Sequence, residues 1–321
     1  MAISRSAIRR RAIVVFVAGA LSCAGAAQAA ARPAAGYVTS RYAASKYTVS
    51  KYTVSKYAGA SHTEAARTST RNEAFSTLST LRRTEDGDFL GGAFDTCAAP
   101  TAATMAAWWG TSGFKAAGIY LGGLNRACPD GNLSADWVHQ VSAQGWRLIP
   151  AYVGRQAPCV TATKLSLMDP KTAPAQGVAA ADDAVARAAA LGIAPGSAIY
   201  FDLENYRRKN QSCTNTVLSY IDSWVRQLHS HGYLAGVYSS AGSGIADLAA
   251  AYGTPGWAAP DAVWIARWDG NPTTTDPVLP AGEWSQHQRI KQYSGGHKET
   301  HGPAAMDVDG DYVDGPVAIV H

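Results

Sequence analysis

Several patterns are missing from this sequence, and each absence closes a class of function. No Gly-x-Ser-x-Gly elbow occurs; Gly242-Ser243-Gly244 has the wrong spacing, which argues against a serine hydrolase of the α/β type. Only five cysteines are present and none is in C-x-x-C spacing, so a structural zinc site is not expected. His297 and His301 are four apart, but Gly295-Gly296 before them and Gly302-Pro303 after them read as loop, and Glu299 is not where a zinc hydrolase needs its base. Asp307, Asp309, Asp311 and Asp314 hint at calcium, yet Tyr312 holds the EF-hand glycine position and no distal Glu follows. No glycine loop of the phosphate-cradling kind is found. The expectation is a chain with no metal and no cofactor. Past the first thirty residues, no apolar run is long enough to cross a bilayer.

What is present divides into three parts. Residues 1–29 read as an export signal. They have a basic start (Arg5, Arg9, Arg10, Arg11), an apolar core from Ala12 to Leu21 and a small-residue ending, Ala27-Gln28-Ala29. The adjacent arginines before Ala12-Ile13-Val14 partly match a twin-arginine signal, so both the general and the twin-arginine export routes stay open. Residues 30–88 form a basic linker with a five-residue repeat, Ser45-Lys46-Tyr47-Thr48-Val49, Ser50-Lys51-Tyr52-Thr53-Val54 and Ser55-Lys56-Tyr57. A period of five fits neither strand nor helix, and the composition cannot build a core. The linker reads as a spacer, or as a Lys/Tyr tether to an anionic wall polymer. Residues 89–321 should hold the folded domain. Residues 30–83 carry nine Lys or Arg against two Glu, whereas from Thr84 onward there are fifteen basic and twenty-two acidic residues. An acidic domain behind a basic tail excludes a nucleic-acid enzyme, whose folded part should carry the positive patch. The mature protein is expected to be secreted, monomeric and without a membrane span.

From Gly91, short β-rich runs alternate with helical stretches. The expected strands are 92–95, 117–122, 147–154, 197–204, 234–240, 262–268, 289–294 and 305–309. Helices are expected over 101–109, 134–144, 179–191, 215–231 and 244–252, with Ser134 as an N-cap and Leu218, Ile221, Trp224, Val225 and Leu228 as a core stripe. Eight strands in βα alternation predict an α/β fold, a TIM-type (β/α)8 barrel. The last two strands lack an intervening helix, so irregularity is expected there. Loss of the signal removes Cys23 and leaves four cysteines with three possible pairings. Cys97, Cys128, Cys159 and Cys213 follow the first four strands, which puts them on loops at one rim. Pairing of neighbouring loops gives Cys97–Cys128 and Cys159–Cys213, a clamp on those loops.

The run Ser197-Ala-Ile-Tyr-Phe-Asp-Leu-Glu204 has the composition of a buried strand but ends in two carboxylates. In a strand, Ala198, Tyr200, Asp202 and Glu204 share one face, and Ile199, Phe201 and Leu203 the other. Two acids at the C-terminal end of a core strand are costly to desolvate, and in a β/α barrel that end is where catalytic groups sit. Paired carboxylates there are what glycoside hydrolysis uses. A pair that caps the next helix or meets an arginine is the structural alternative. The Cα atoms should lie about 6.6 Å apart, so side-chain rotation allows either the retaining or the inverting separation. Asp95 in Ala-Phe-Asp-Thr and Asp307 with Asp309 in Met-Asp-Val-Asp also end strands. Tyr120, Tyr152, Tyr200, Tyr238, Trp268, Gln292 and Tyr293 fall on or near the same ends, where rings suit the apolar faces of sugars.

The order of these motifs resembles a known family. Phe94-Asp95, Asp202-x-Glu204, Trp264-Ile-Ala-Arg-Trp268, Gln292-Tyr293-Ser294 and a final Asp-x-Asp look like the Chalaropsis-type lysozymes, glycoside hydrolase family twenty-five. More closely, Gly91 to about Val317 resembles an exported actinobacterial glycoside-hydrolase-like domain. Phe94-Asp95-Thr96-Cys97, Ala157-Pro158-Cys159, Gly236-Val237-Tyr238-Ser239-Ser240 and Gln292-Tyr293 carry that match. The resemblance implies a β/α barrel and a peptidoglycan or related polysaccharide ligand. It also implies that Glu204 is the general acid/base, that Asp202 orients or stabilises the charged intermediate, and that Asp95 and Asp307 line the cleft. The family usually has Asn at the second position of the last motif, where Asp309 stands here. Two functions follow: a secreted glycosidase of cell-wall glycan, or a wall-associated barrel that binds the glycan without turnover.

Overall fold

The computed structural model describes residues 87–321; the expected export signal and nearly all of the expected linker lie outside the described residues. Thirteen elements follow one another: β1 (Asp88–Asp95), α1 (Ala102–Thr111), β2 (Phe114–Gly122), α2 (Ala135–Ala143), β3 (Arg147–Tyr152), α3 (Ala173–Ala190), β4 (Ala198–Leu203), α4 (Gln211–Ser230), β5 (Leu234–Ser240), α5 (Gly244–Ala251), β6 (Ala262–Ala266), β7 (Arg289–His301) and β8 (Ala304–Pro316). The strands close into one barrel in chain order. The helices start where capping chemistry places them. Thr101, Ser134 and Asn210 each accept, through their side chains, a backbone N–H that the first turn leaves without a partner. On α4, Val217, Tyr220, Ile221, Trp224, Val225 and Leu228 are buried, one stripe at helical spacing turned to the barrel.

The TIM-type barrel is present, and its irregularity has a definite form. β1 to β7 pair in parallel, but β8 is antiparallel to both β7 and β1. An all-parallel sheet therefore does not hold at the closure. A parallel crossover needs a dozen or more residues, whereas Gly302-Pro303 is all that separates β7 from β8, enough only for a hairpin. The hairpin extends past the barrel and lies on α1, where Trp108 Nε1 donates to the Ala304 carbonyl (3.0 Å) and the His301 ring meets the Trp108 ring. It covers a flank that a helix would otherwise cover.

Two apolar layers result from strand alternation. Outward positions such as Phe94, Ile199, Phe201 and Val237 pack on the helices. Inward positions such as Ala93, Ile149, Ala198, Tyr200, Ile290 and Val313 fill the barrel's lower interior. That plug is the floor on which the mouth is built.

Candidate active site

Four of the strands that build the floor, β1, β4, β7 and β8, carry a polar residue one pleat nearer the mouth. On β1 that residue is Asp95, which is buried. It accepts from the Tyr120 hydroxyl at Oδ1 (2.8 Å) and from Gln292 Nε2 at Oδ2 (2.7 Å). Gln292, on β7, is held in turn by two donors to its Oε1, the Tyr238 hydroxyl (3.0 Å) and Trp268 Nε1 (2.9 Å). Gly118 on β2 makes room: a Cβ there would stand 2.5 Å from the Asp95 Cβ and 3.2 Å from the Trp264 ring.

Because β8 runs inward from the mouth, its acids arrive in reverse order. Asp309 pairs with Asp95 across the β1–β8 ladder, and Asp311 pairs with Ala93, one pleat deeper. Asp311 is fully buried and accepts from Trp264 Nε1 (2.8 Å).

On β4 and just past its end come Asp202, buried, and Glu204, at the opening. Gln156 fixes this segment from the neighbouring loop. Its Nε2 donates to the Asp202 carbonyl (2.9 Å), and its Oε1 accepts from the Glu204 backbone N–H (2.8 Å). Glu204 keeps accessible surface yet is surrounded in part by protein, so it is both reachable and partly desolvated.

Five carboxyls thus converge, and none of them is in an ion pair among the described residues. Burial raises all five above the ordinary carboxylate range. Asp202 and Asp311 are pushed well above it, and Asp309 to about 7, each also by the charge on Asp95. In Asp95 itself, burial is opposed by the hydrogen bonds from Tyr120 and Gln292. Asp95 is therefore where the cluster best holds a negative charge. Glu204 is raised by burial first and by Asp95 second. A carboxyl raised by burial and open to the mouth, together with a hydrogen-bonded one on the wall, is a pair that can protonate a leaving oxygen and stabilise positive charge on a sugar.

Of the residues singled out in the sequence, Asp95, Asp202, Glu204, Asp309, Tyr120, Tyr238, Gln292 and Trp268 lie together. Trp268 is 66% exposed, an indole at the rim with its N–H tied to Gln292. Three others lie apart from the acids, and a fourth, Tyr293, lies at their edge. Asp307 is exposed on the hairpin opposite Lys298, beyond the rim, because the hairpin carries it past the barrel. Tyr152 faces the helices, where its hydroxyl donates to Asp183 Oδ2 (2.8 Å) and its ring stacks on Trp224. Tyr200 points inward but is sealed in the floor, donating to the Pro316 carbonyl (2.8 Å). Tyr293 is half-buried against Gly310, which stands between Asp309 and Asp311, and burial with the charges of Glu299 and Asp311 pushes its hydroxyl up. Asp311 and Gln156 are additions that sequence reasoning did not select. For Asp311 the signal was there: Asp307, Asp309 and Asp311 alternate, and the strand continues past Gly310. Gln156 carried no signal, since its role depends on loop geometry.

The mouth-side loops are cross-linked, Cys97 to Cys128 with Cα atoms 5.4 Å apart and Cys159 to Cys213 with Cα atoms 5.9 Å apart. Among the described residues, no group of three or more His, Cys, Asp or Glu is arranged to hold a metal ion. No helix among them is long and apolar enough to cross a membrane.

An eight-stranded α/β barrel with its acids gathered at one mouth is the architecture of a glycoside hydrolase-like domain. Residues 106–313 match the Rv2525c-like, glycoside hydrolase-like domain, and the chain belongs to that family. Among solved structures, it is similar to the Tat-secreted protein Rv2525c of Mycobacterium tuberculosis in complex with L-tartrate (17% identity, 70% of this chain and 96% of that one, TM-score 0.49). It is also similar to an uncharacterized B. stearothermophilus protein (21% identity, 70% and 95%, TM-score 0.47). A third similarity is to the modular autolysin LytC of Streptococcus pneumoniae (14% identity, 69% and 46%, TM-score 0.44). No curated protein matches the chain.

Proposed function

We propose that the domain is an exported glycosidase that cleaves cell-wall peptidoglycan or a related polysaccharide, with Glu204 as the general acid/base. One observation carries the reading: of five acids raised by burial, Glu204 is the one exposed at the opening, in the field of a hydrogen-bonded Asp95. Family membership supports it. Export is supported by the two disulfides, which persist in oxidising compartments.

In this mechanism a pyranose lies against Trp268 with its glycosidic oxygen over Glu204. Glu204 gives its proton to that oxygen as the bond to the anomeric carbon breaks. The positive charge that develops on the ring is stabilised by Asp95, which Tyr120 and Gln292 hold in place without reorganisation. Glu204, now ionised, takes a proton from the incoming water. Asp202, directly beneath, keeps its proton, and its Oδ1 has no partner within the protein. That oxygen is sealed from solvent, so Asp202 supports Glu204 from below rather than touching the sugar.

The test is product release. Disulfide-bonded protein is incubated with purified peptidoglycan, and new reducing ends are detected by mass spectrometry beside the Glu204→Gln variant. Fragments from the wild type and about 10²–10⁴-fold fewer from the variant are expected. Retention on the glycan with no fragments from either protein would replace the hydrolase with a binding barrel.

A further inference from the structure

The described domain is acidic, yet one sector of its rim is not. The loop from β3 to α3 (153–172) and the loop from β4 to α4 (204–210) together carry Arg155, Lys164, Lys171, Arg207, Arg208 and Lys209 against only Asp169 and Glu204. Six of the fifteen basic residues counted from Thr84 onward therefore sit on two loops, although acids outnumber bases by seven over that whole stretch. The loops are one unit: the Cys159–Cys213 disulfide ties the first loop to the start of α4, and Val160 and Tyr206 form a β-bridge between the loops. Both loops leave the mouth ends of their strands, so this unit borders the opening beside Asp202 and Glu204.

Most of the charge is uncommitted. Lys164, Lys171, Arg207 and Lys209 are exposed, and none is in an ion pair among the described residues. Arg208 alone is paired, to Asp247 (2.7 Å). A hollow lies along each loop. One, of about 570 Å³, is walled by Lys209, Trp257 and the Arg208–Asp247 pair. The other, of about 470 Å³, is walled by Arg155 and the face of α3, where Asp183 pairs with Arg187. Like charges gathered on a disulfide-pinned surface repel one another, and a polyanion laid across them relieves that repulsion.

We propose that these joined loops form a cationic lip that binds the carboxylate groups of an acidic glycan, holding the polymer while a neighbouring sugar enters the mouth. The proposal rests on the glycan-directed reading above and narrows it to a carboxylate-bearing substrate. The spread of single charges suits carboxylates spaced along a chain. A phosphate cradle would need convergent backbone N–H groups, and at the start of α4 the Asn210 side chain already takes the Cys213 N–H (3.2 Å). The division of labour is electrostatic: burial holds the acids inside the mouth above the ordinary carboxylate range, while the exposed lip attracts the polyanion.

The test uses the full disulfide-bonded chain carrying Glu204→Gln, so that retention is read without turnover. Four probes are compared: polygalacturonate, peptidoglycan with its stem peptides, the same strands stripped of peptide, and a neutral β-glucan. Retention of polygalacturonate or of peptide-bearing strands above the neutral glucan is expected, and which one is held names the source of the carboxylates. Arg207→Gln/Lys209→Gln should weaken that retention roughly five-fold, and Arg207→Glu/Lys209→Glu by several-fold more, with the effect shrinking at high salt. Melting temperatures should not move, since both side chains are exposed. Equal retention of the neutral glucan, or charge-reversed protein that binds as the parent does, would overturn the lip. A DNA oligonucleotide held as tightly as the carboxylate probes at matched salt would overturn it too. Fragment release by the unsubstituted protein is independent of these outcomes, so the lip and the hydrolase can fail separately.

Discussion

The two ends of the barrel's interior are built by the same strands and differ by one pleat. β1 supplies Ala93 below and Asp95 above; β4 supplies Tyr200 and Asp202; β7 supplies Ile290 and Gln292; β8, running the other way, supplies Val313 below and Asp311 above. The lower set is apolar and closed. The upper set is acidic, and no cation is paired with it among the described residues. The lower end stabilises the fold by excluding water, and the upper end costs stability by desolvating carboxyls that must then keep their protons. Acids placed in such a setting have a use beyond stability, because a buried structural acid is ordinarily matched with a base.

The contrast can be broken most severely by moving an acid downward. Val313→Asp places a carboxylate in the closed floor, far from any donor that serves Asp95. A loss above about 4 kcal/mol is expected, read as failure to fold or as a collapse of the denaturant midpoint. The upper end should answer to pH instead. A carboxyl whose folded pKa is raised binds its proton more tightly in the folded state, so its stabilisation is present at low pH and is lost as pH rises to the folded value. The melting temperature should therefore fall as pH climbs from about 5 to 8, with a slope below about 1.4 kcal/mol per unit for Asp309, which is part-exposed. Asp309→Asn should flatten the segment near its value of about 7. A melting curve that rises over that range would remove the protonated cluster.

Smaller effects sharpen the boundary between the two ends. Trp268→Ala should weaken glycan retention about five- to ten-fold, on the order of 1 kcal/mol, without moving the melting temperature. Gly295 explains why this ring is a fixed platform: a Cβ there would come within 2.5 Å of the indole, so the backbone backs one face and leaves the other free. At the small end, Tyr152→Phe should leave glycan retention unchanged and cost about 1 kcal/mol of stability, the hydrogen bond to Asp183. A loss of retention would return Tyr152 to the cleft.

Strand and helix order were legible because hydrophobic periodicity and capping residues are local. β5 runs over Leu234–Ser240, the expected span, and Ser134 caps α2. The direction of β8 was written only in the two residues between it and β7, too short for a crossover. Asp95, Asp202, Glu204 and Gln292 were legible because strand alternation and the mouth-end rule need no tertiary detail. Tyr152 and Tyr200 show where that reasoning stops. Both lie on strands near the mouth, but one faces the helices and the other sits a pleat too deep, and neither depth nor facing is fixed until the barrel's stagger is known. Gln156 illustrates the same limit on a loop, since its two contacts join segments 46 and 48 residues away.

The measurement that bears most directly on the polarised mouth is a ¹³C carboxyl titration of the wild type, with Asp95→Asn and Glu204→Gln used to assign the two signals. The account predicts that Asp95 ionises before Glu204, and that Glu204 still holds its proton above the ordinary value of 4.5. Glu204 titrating at or below 4.5, or ionising ahead of Asp95, would leave the mouth without its acid and contradict the proposed mechanism.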